Sequence, residues 1–294
     1  MTTSVLVSDK PSSNSLVHKY PLVIFFLLVF GLTWPFMIVD VLGSHDVLPF
    51  RLPIPLMIVM GYMPTLAAVI VTGMTKGKEG IRALFRKLLI AKVGLRWYVL
   101  AIFGYAAVCA GAIGLSNLFS EASIPFLSEN FPKFSNPVEM VLSVAVMFLA
   151  ISLVNGEELA WRGFALPRLQ SKFNALTSSI ILGVVWGLFH LPLFFTLTGS
   201  SQAGASFLDF LLSTVSLTVI FTWMYNHTRG SVLLAYLLHG ATNTWTRIFA
   251  IDHNENPLVG GAVTGLTVLV AVIVILFMGA ENLSRNGTRI QEES

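Results

Sequence analysis

Charge and cysteine are what this sequence has least of. Only 11% of its 294 residues are charged, against about 25% in soluble domains, which excludes an ordinary water-soluble fold. The single cysteine, Cys109, excludes an intramolecular disulfide and any multi-cysteine metal cluster. It lies in an apolar run and reads as a small packing residue. Also missing are a Gly-rich phosphate loop, an H-E-x-x-H zinc motif, an internal repeat, and a serine with a base at motif spacing. The formal charge of +3 is small and asks for no nucleic-acid partner.

What is there in abundance is apolar sequence: 55% of residues are hydrophobic and the mean hydropathy is +0.77. Eight apolar runs stand out, over 21–42, 54–74, 97–117, 138–155, 175–197, 206–225, 231–250 and 258–280. Runs of about 20 apolar residues span a bilayer as helices. The expected fold is therefore all-α, a polytopic membrane helix bundle of about eight transmembrane helices. The first run is too long for a signal peptide, and no small-residue cleavage site follows, so it reads as a retained span. Pro35 and Pro64 are expected to kink their spans. Gly104, Gly111 and Gly114 suit close approach by a neighbouring helix.

With the N-terminus inside, the outer segments hold only Arg51, Lys133 and Arg247 of the 18 basic residues. That asymmetry places both termini in the cytoplasm, in a multi-pass cell-membrane protein expected in a bacterial plasma membrane. The organisation is a poorly ordered cytoplasmic tail over 1–20, a transmembrane domain over 21–280 with its functional core over 138–250, and a cytoplasmic tail over 281–294. Between the second and third runs, Ile81, Leu84, Phe85 and Leu88 recur at helical spacing with bases opposite. Residues 78–90 thus read as an interfacial helix anchored on anionic lipid. A shorter amphipathic piece over 164–173 is expected along the same interface. Trp97, Tyr98 and Trp161 read as interfacial aromatics. Glu121 and Glu129 in the long connection 120–137 carry no assigned chemistry. Asp209, Asn226 and His227 read as solvated, and Asp252, His253 and Glu255 as a polar loop.

The informative residues are the ionisable ones that lipid rejects. Glu157, Glu158 and Arg162 follow directly on the fourth apolar run. A charge at the centre of a membrane helix costs roughly 3 kcal/mol on insertion scales, so its default reading is functional. His190 lies well inside the fifth run, and His239 and Asn243 in the seventh. Their i,i+4 spacing puts His239 and Asn243 on one helix face. A carboxylate with an imidazole can deprotonate water. A second imidazole with an amide can donate to a developing oxyanion. Together they suffice for amide hydrolysis without a covalent intermediate and without a cofactor. His, His and Glu are also zinc-ligand types, so a zinc-dependent version stays open. So does a non-enzymatic membrane protein that binds or transports a peptide. Glu158 and Arg162, at i,i+4, are expected to pair, leaving Glu157 free to act. One difficulty is depth: His190 is roughly 22 Å into its span at 1.5 Å per residue, whereas Glu157 sits at the end of its own. The two meet if the fourth helix continues past Glu157 toward Pro167, or if the fifth starts later and tilts.

Three motifs carry a family resemblance. Glu157-Glu158-Leu159-Ala160-Trp161-Arg162 resembles the E-E-x-x-x-R motif of the CAAX prenyl endopeptidase and bacteriocin-processing (CPBP, or Abi) family. His190 matches the histidine of its F-x-x-x-H motif, with Trp186 in place of the phenylalanine. His239-Gly240-Ala241-Thr242-Asn243 matches H-x-x-x-N. The order along the chain matches as well. The resemblance implies an intramembrane glutamate-dependent endopeptidase acting on a peptide or membrane-protein substrate. It implies Glu157 and His190 as the water-activating pair, His239 and Asn243 as the oxyanion site, and Glu158, Arg162 and Trp186 as support. It further suggests a role in peptide or bacteriocin processing or immunity.

Overall fold

The structure, a computed structural model, describes residues 16–292 apart from 122, 129, 130, 133, 199, 201, 250 and 252–255. Residues 1–15 of the expected N-terminal tail, and Glu129, Lys133, Asp252, His253 and Glu255, lie outside the described residues. Among the described residues every regular element is helical. In order these are α1 (Leu16–Lys19), α2 (Pro21–Ser44), α3 (Ile54–Gly61), α4 (Met63–Arg86), α5 (Leu95–Asn117) and α6 (Pro137–Val154). A π-helix, Leu159–Ala165, leads into α7 (Leu166–Gln170). Then come α8 (Ala175–Phe189), α9 (Phe207–His227), α10 (Val232–Ile248) and α11 (Pro257–Met278), with 3-10 turns at Lys87–Leu89 and Leu191–Phe195.

The starts of these helices are written locally. The side chains of Asn136, Asn174, Ser206, Ser231 and Asn256 each accept a bond from the backbone N–H three residues on, opening α6, α8, α9, α10 and α11. Such caps satisfy one of the donors that every helix start leaves orphaned. Pro64 sits in the first turn of α4, where its missing N–H costs nothing. The expected kink falls just before it, as a 43° bend between α3 and α4. At Gly77 (φ 62°) the apolar half of α4 gives way to its basic half, a backbone setting that favours glycine.

The molecule is a multi-pass membrane protein. α2, α5, α6, α9 and α11 are each long and apolar enough to cross a bilayer, and α3 with α4 makes a sixth, bent span. The other two of the eight apolar runs give shorter helices. α8 stops after 15 residues because Pro192 opens the 3-10 turn that follows. α10, 17 residues long, carries His239, Thr242, Asn243, Thr244 and Thr246. Its polar face turns inward and lowers its hydropathy.

Several local expectations give way to packing. Residues 159–170 do not lie along an interface. They are buried throughout and pack among α4, α8 and α10. Trp161 is fully buried against Phe25 and Phe189, and Trp97 packs on Trp223 and His227. Neither indole is an interfacial anchor. Gly104 and Gly114 face open space, and Gly111 meets only Leu266. The close approach occurs at Gly183, where a Cβ would stand 2.6 Å from Val215 Cα. Asn226 is not solvated: it is 2% exposed and clamps the C-terminal segment, donating to Asn282 O (2.8 Å) and accepting from Ile290 N (3.1 Å). Asp209 is half-buried and accepts from Thr264 Oγ1 at 3.0 Å.

Candidate active site

The site begins where α6 ends. Asn155 caps the helix, and at Gly156 a side chain would collide with the ring of Tyr62. The break is pinned from the start of α4: Tyr62 Oη donates to Leu153 O, and Thr65 Oγ1 donates to Gly156 O at 2.6 Å. The chain then resumes as the π-helix. Wide i→i+5 turns of this kind recur at functional sites. The fourth helical stretch thus continues past Glu157 to Gln170, after a break. That continuation answers the depth mismatch between Glu157 and His190.

The two glutamates face different partners. Glu157 Oε2 accepts from two indoles, Trp161 Nε1 at 2.8 Å and Trp186 Nε1 at 2.9 Å. Neutral donors fix this carboxylate in place without neutralising it. Glu158 is 0% exposed. Its Oε1 accepts from Arg162 Nη1 and from His239 Nδ1, each at 2.8 Å. The i,i+4 pair expected from the spacing is therefore present. The Arg162 guanidinium also stacks 3.8 Å from the Phe221 ring centre and 4.5 Å from that of Trp186. Such stacking suits a planar cation in a dry site.

His190 caps α8, and its Nδ1 donates to Trp186 O at 2.9 Å. In the neutral ring this leaves Nε2 as a proton acceptor. Trp186 is the junction of the site. Its indole holds Glu157, its carbonyl orients His190, and its ring meets His239 edge-on at 5.4 Å between centres. Glu157 and His190 are joined through Trp186 and not by a direct hydrogen bond. The Glu157 carboxylate lies within electrostatic range of both imidazoles. One turn beyond His239, Asn243 Nδ2 donates to Asn155 Oδ1 at 3.3 Å. The Asn155 Nδ2 group is itself buried with no partner among the described residues.

The structure thus gathers two hydrogen-bonded sets, Glu157 with Trp186 and His190 and Glu158 with Arg162 and His239, which meet through ring contacts at Trp186, while Asn243 bonds separately to Asn155, two residues before Glu157. Sequence reasoning missed two members, Trp161 and Asn155. Trp161 sits four residues after Glu157, the spacing at which helical side chains meet, so its signal was available. Nothing in the sequence pairs Asn155 with Asn243. Among the described residues no three of His, Cys, Asp and Glu group closely enough to hold a metal ion. Cavities of about 610 Å³, beside residues 127–140, and about 460 Å³, beside α7, lie away from Glu157 and the histidines.

Residues 137–245 match the family described as type II CAAX prenyl endopeptidase Rce1-like. The chain is also 34% identical over 139 residues to CAAX prenyl protease 2 of Methanococcus maripaludis, covering 46% of this chain and 50% of the relative. The chain thus spans about half the length of the curated relative it matches. All seven residues named by the three motifs fall inside the matched segment 137–245. Both matches support the CPBP family resemblance.

Proposed function

With the Rce1-like relationship as premise, we propose that this protein is an intramembrane endopeptidase that hydrolyses a peptide bond with a water activated by Glu157 and His190. The Glu157 carboxylate, held on Oε2 by Trp161 and Trp186, keeps Oε1 for the water. The carboxylate takes the water's proton as its oxygen attacks the scissile carbonyl carbon. His190, with Nδ1 committed to Trp186 O, offers Nε2 to the same water or to the leaving amine. The carbonyl oxygen becomes an oxyanion. His239 can donate to it from Nε2 when protonated, because its Nδ1–H is spent on Glu158. Asn243 and the unpartnered Asn155 amide add neutral donors. Collapse breaks the C–N bond, and the proton passes to the departing nitrogen.

Glu158 and Arg162 act as the frame in this reading. Arg162 pairs with Glu158, and Glu158 orients His239 as a buried carboxylate orients an imidazole in other hydrolases. The observation that carries the proposal is the convergence on Trp186 of a carboxylate and two imidazoles from separate elements. The relative's name specifies prenylated CAAX proteins. For this chain the reading is a peptide or membrane-protein substrate, and a bacteriocin-like peptide fits it equally. The bias of basic residues supports a cytoplasmic side for both termini.

The test compares the peptides of native membranes carrying wild type or Glu157→Ala. A shortened peptide made only by wild type supports the proposal and names the substrate. Identical peptide sets, with both proteins inserted and folded, refute it. A chelator arm bears on mechanism: activity that vanishes with chelation and returns with zinc would replace glutamate-activated water by a zinc-bound one.

A further inference from the structure

A cavity of about 460 Å³ opens between the basic half of α4, the π-helix, α7 and the C-terminal segment. Lys76, Arg86, Lys87, Arg168, Arg229 and Arg289 line it, against one acid, Glu292. The Glu292 carboxylate bridges Lys76 (2.9 Å) and Arg168. Lys87 and Arg229 hold backbone oxygens of Gly163 and Lys92. Arg86 is exposed, with no ion pair among the described residues. Arg289 pairs with Glu281 (2.7 Å) at the margin of the cavity, so the six cations exceed the two carboxylates by four.

Two lining groups are buried and lack partners. Arg168 is 8% exposed, and its Nε–H reaches no acceptor among the described residues. Tyr225 is 1% exposed, and its hydroxyl likewise has none. Buried donors without acceptors are costly, and both of these belong to residues lining the cation-rich cavity, where an anion with several oxygens is the matching ligand. A carboxylate supplies one charge and two oxygens. A phosphate monoester supplies up to about two charges and three strong acceptor oxygens, and arginine forks bind it bidentately.

The position of Glu292 is itself informative. It arrives on a strap bound to α7 and α9: Ile290 N to Asn226 Oδ1 (3.1 Å), Gln170 Nε2 to Ile290 O (2.8 Å), and Glu292 N to Ser171 Oγ (3.1 Å). The chain thus delivers its own carboxylate into a cation-lined groove. We propose that this groove is a phosphate-binding site, and that Glu292 is a built-in occupant which a phosphate-bearing ligand displaces. The phosphate is a monoester, belonging either to a lipid headgroup such as that of phosphatidic acid or to a water-soluble molecule.

The full chain is reconstituted into nanodiscs of phosphatidylcholine alone, whose phosphate is a diester, of phosphatidylcholine with phosphatidic acid, whose phosphate is a monoester, or of phosphatidylcholine alone with added inorganic phosphate. Hydrogen exchange at the Ile290 and Glu292 amides reports the strap. Phosphatidic acid retained on the purified protein reports occupancy. Expected is faster exchange with phosphatidic acid, with inorganic phosphate, or with both, the pattern identifying the source. Glu292→Gln should lower the ligand concentration needed several-fold. Lys76→Ala with Arg86→Ala, both on accessible side chains, should raise it several-fold. Exchange left unchanged by both ligands overturns the proposal. So does a ligand effect that neither variant shifts.

Discussion

Two clusters of charge touch the π-helix, one dry and one open, and they are neutralised differently. Around Glu158 the balance is local. One carboxylate oxygen accepts from an arginine and an imidazole, and both donors are dry. In the groove beside Gly163 and Pro167, six cations face two carboxylates, Glu292 inside and Glu281 at the margin. A closed, balanced cluster fixes directions: it cannot relax without exposing an uncompensated charge to a dry interior. An open, unbalanced one attracts. The first is suited to holding a reacting group in place, the second to receiving something from outside.

The sharpest way to break the contrast is at Glu157. Its neutral indole partners mean that Glu157→Gln keeps an acceptor for both N–H groups while losing the base. Peptide cleavage should fall by about 10²–10⁴-fold, the usual share of general base catalysis, with thermal unfolding almost unmoved. Near-normal cleavage would remove Glu157 from the chemistry. Next comes the balanced pair. Arg162→Met alone should cost about 3–5 kcal/mol by stranding Glu158, read as a lower unfolding temperature. The double variant Glu158→Gln with Arg162→Met should recover much of that loss. A mild single variant would show that the pair is not the frame. Trp186→Phe removes one of two donors to Glu157 and restores the family's own phenylalanine. About a tenfold loss in kcat/KM is expected, the worth of one hydrogen bond to a charged acceptor, with substrate-free stability little changed. Smallest is Glu292→Gln, which should leave cleavage in neutral lipid unaltered while speeding amide exchange at Ile290. A catalytic defect there would tie the two clusters together.

Much of the bundle was legible because lipid imposes a simple rule. Every apolar run became a helix, and the i,i+4 spacing gave the Glu158–Arg162 pair. The costliest polar residues turned out to share one site. What stayed hidden concerns partners. Hydropathy ranks Trp161 and Trp97 as aromatics suited to an interface, yet the indole N–H of Trp161 serves a buried carboxylate. The glycines of α5 look built for helix contact, but only the fold decides which face meets lipid. Residues 164–173 have an amphipathic pattern whose polar members, Arg168 and Gln170, find acceptors inside the protein instead of in water. The C-terminal segment reads as a polar tail, and its docking depends on Asn226 and Gln170, more than 50 residues away along the chain. Long-range pairing of this sort leaves no periodic trace.

Ser152 is the one buried residue of α6, tucked where Gly240, next to His239, leaves room for it. The outer turns of that rod, with Val138, Val141, Leu142 and Val146, touch mostly acyl chains. Eighteen residues reach roughly 27 Å, a little short of a typical hydrocarbon core of about 30 Å. A rod that short is met by local thinning of the bilayer, and its one buried contact lies five positions before Glu157. Lipid chain length thus sets how far the membrane must thin around this rod, with no change to the polypeptide.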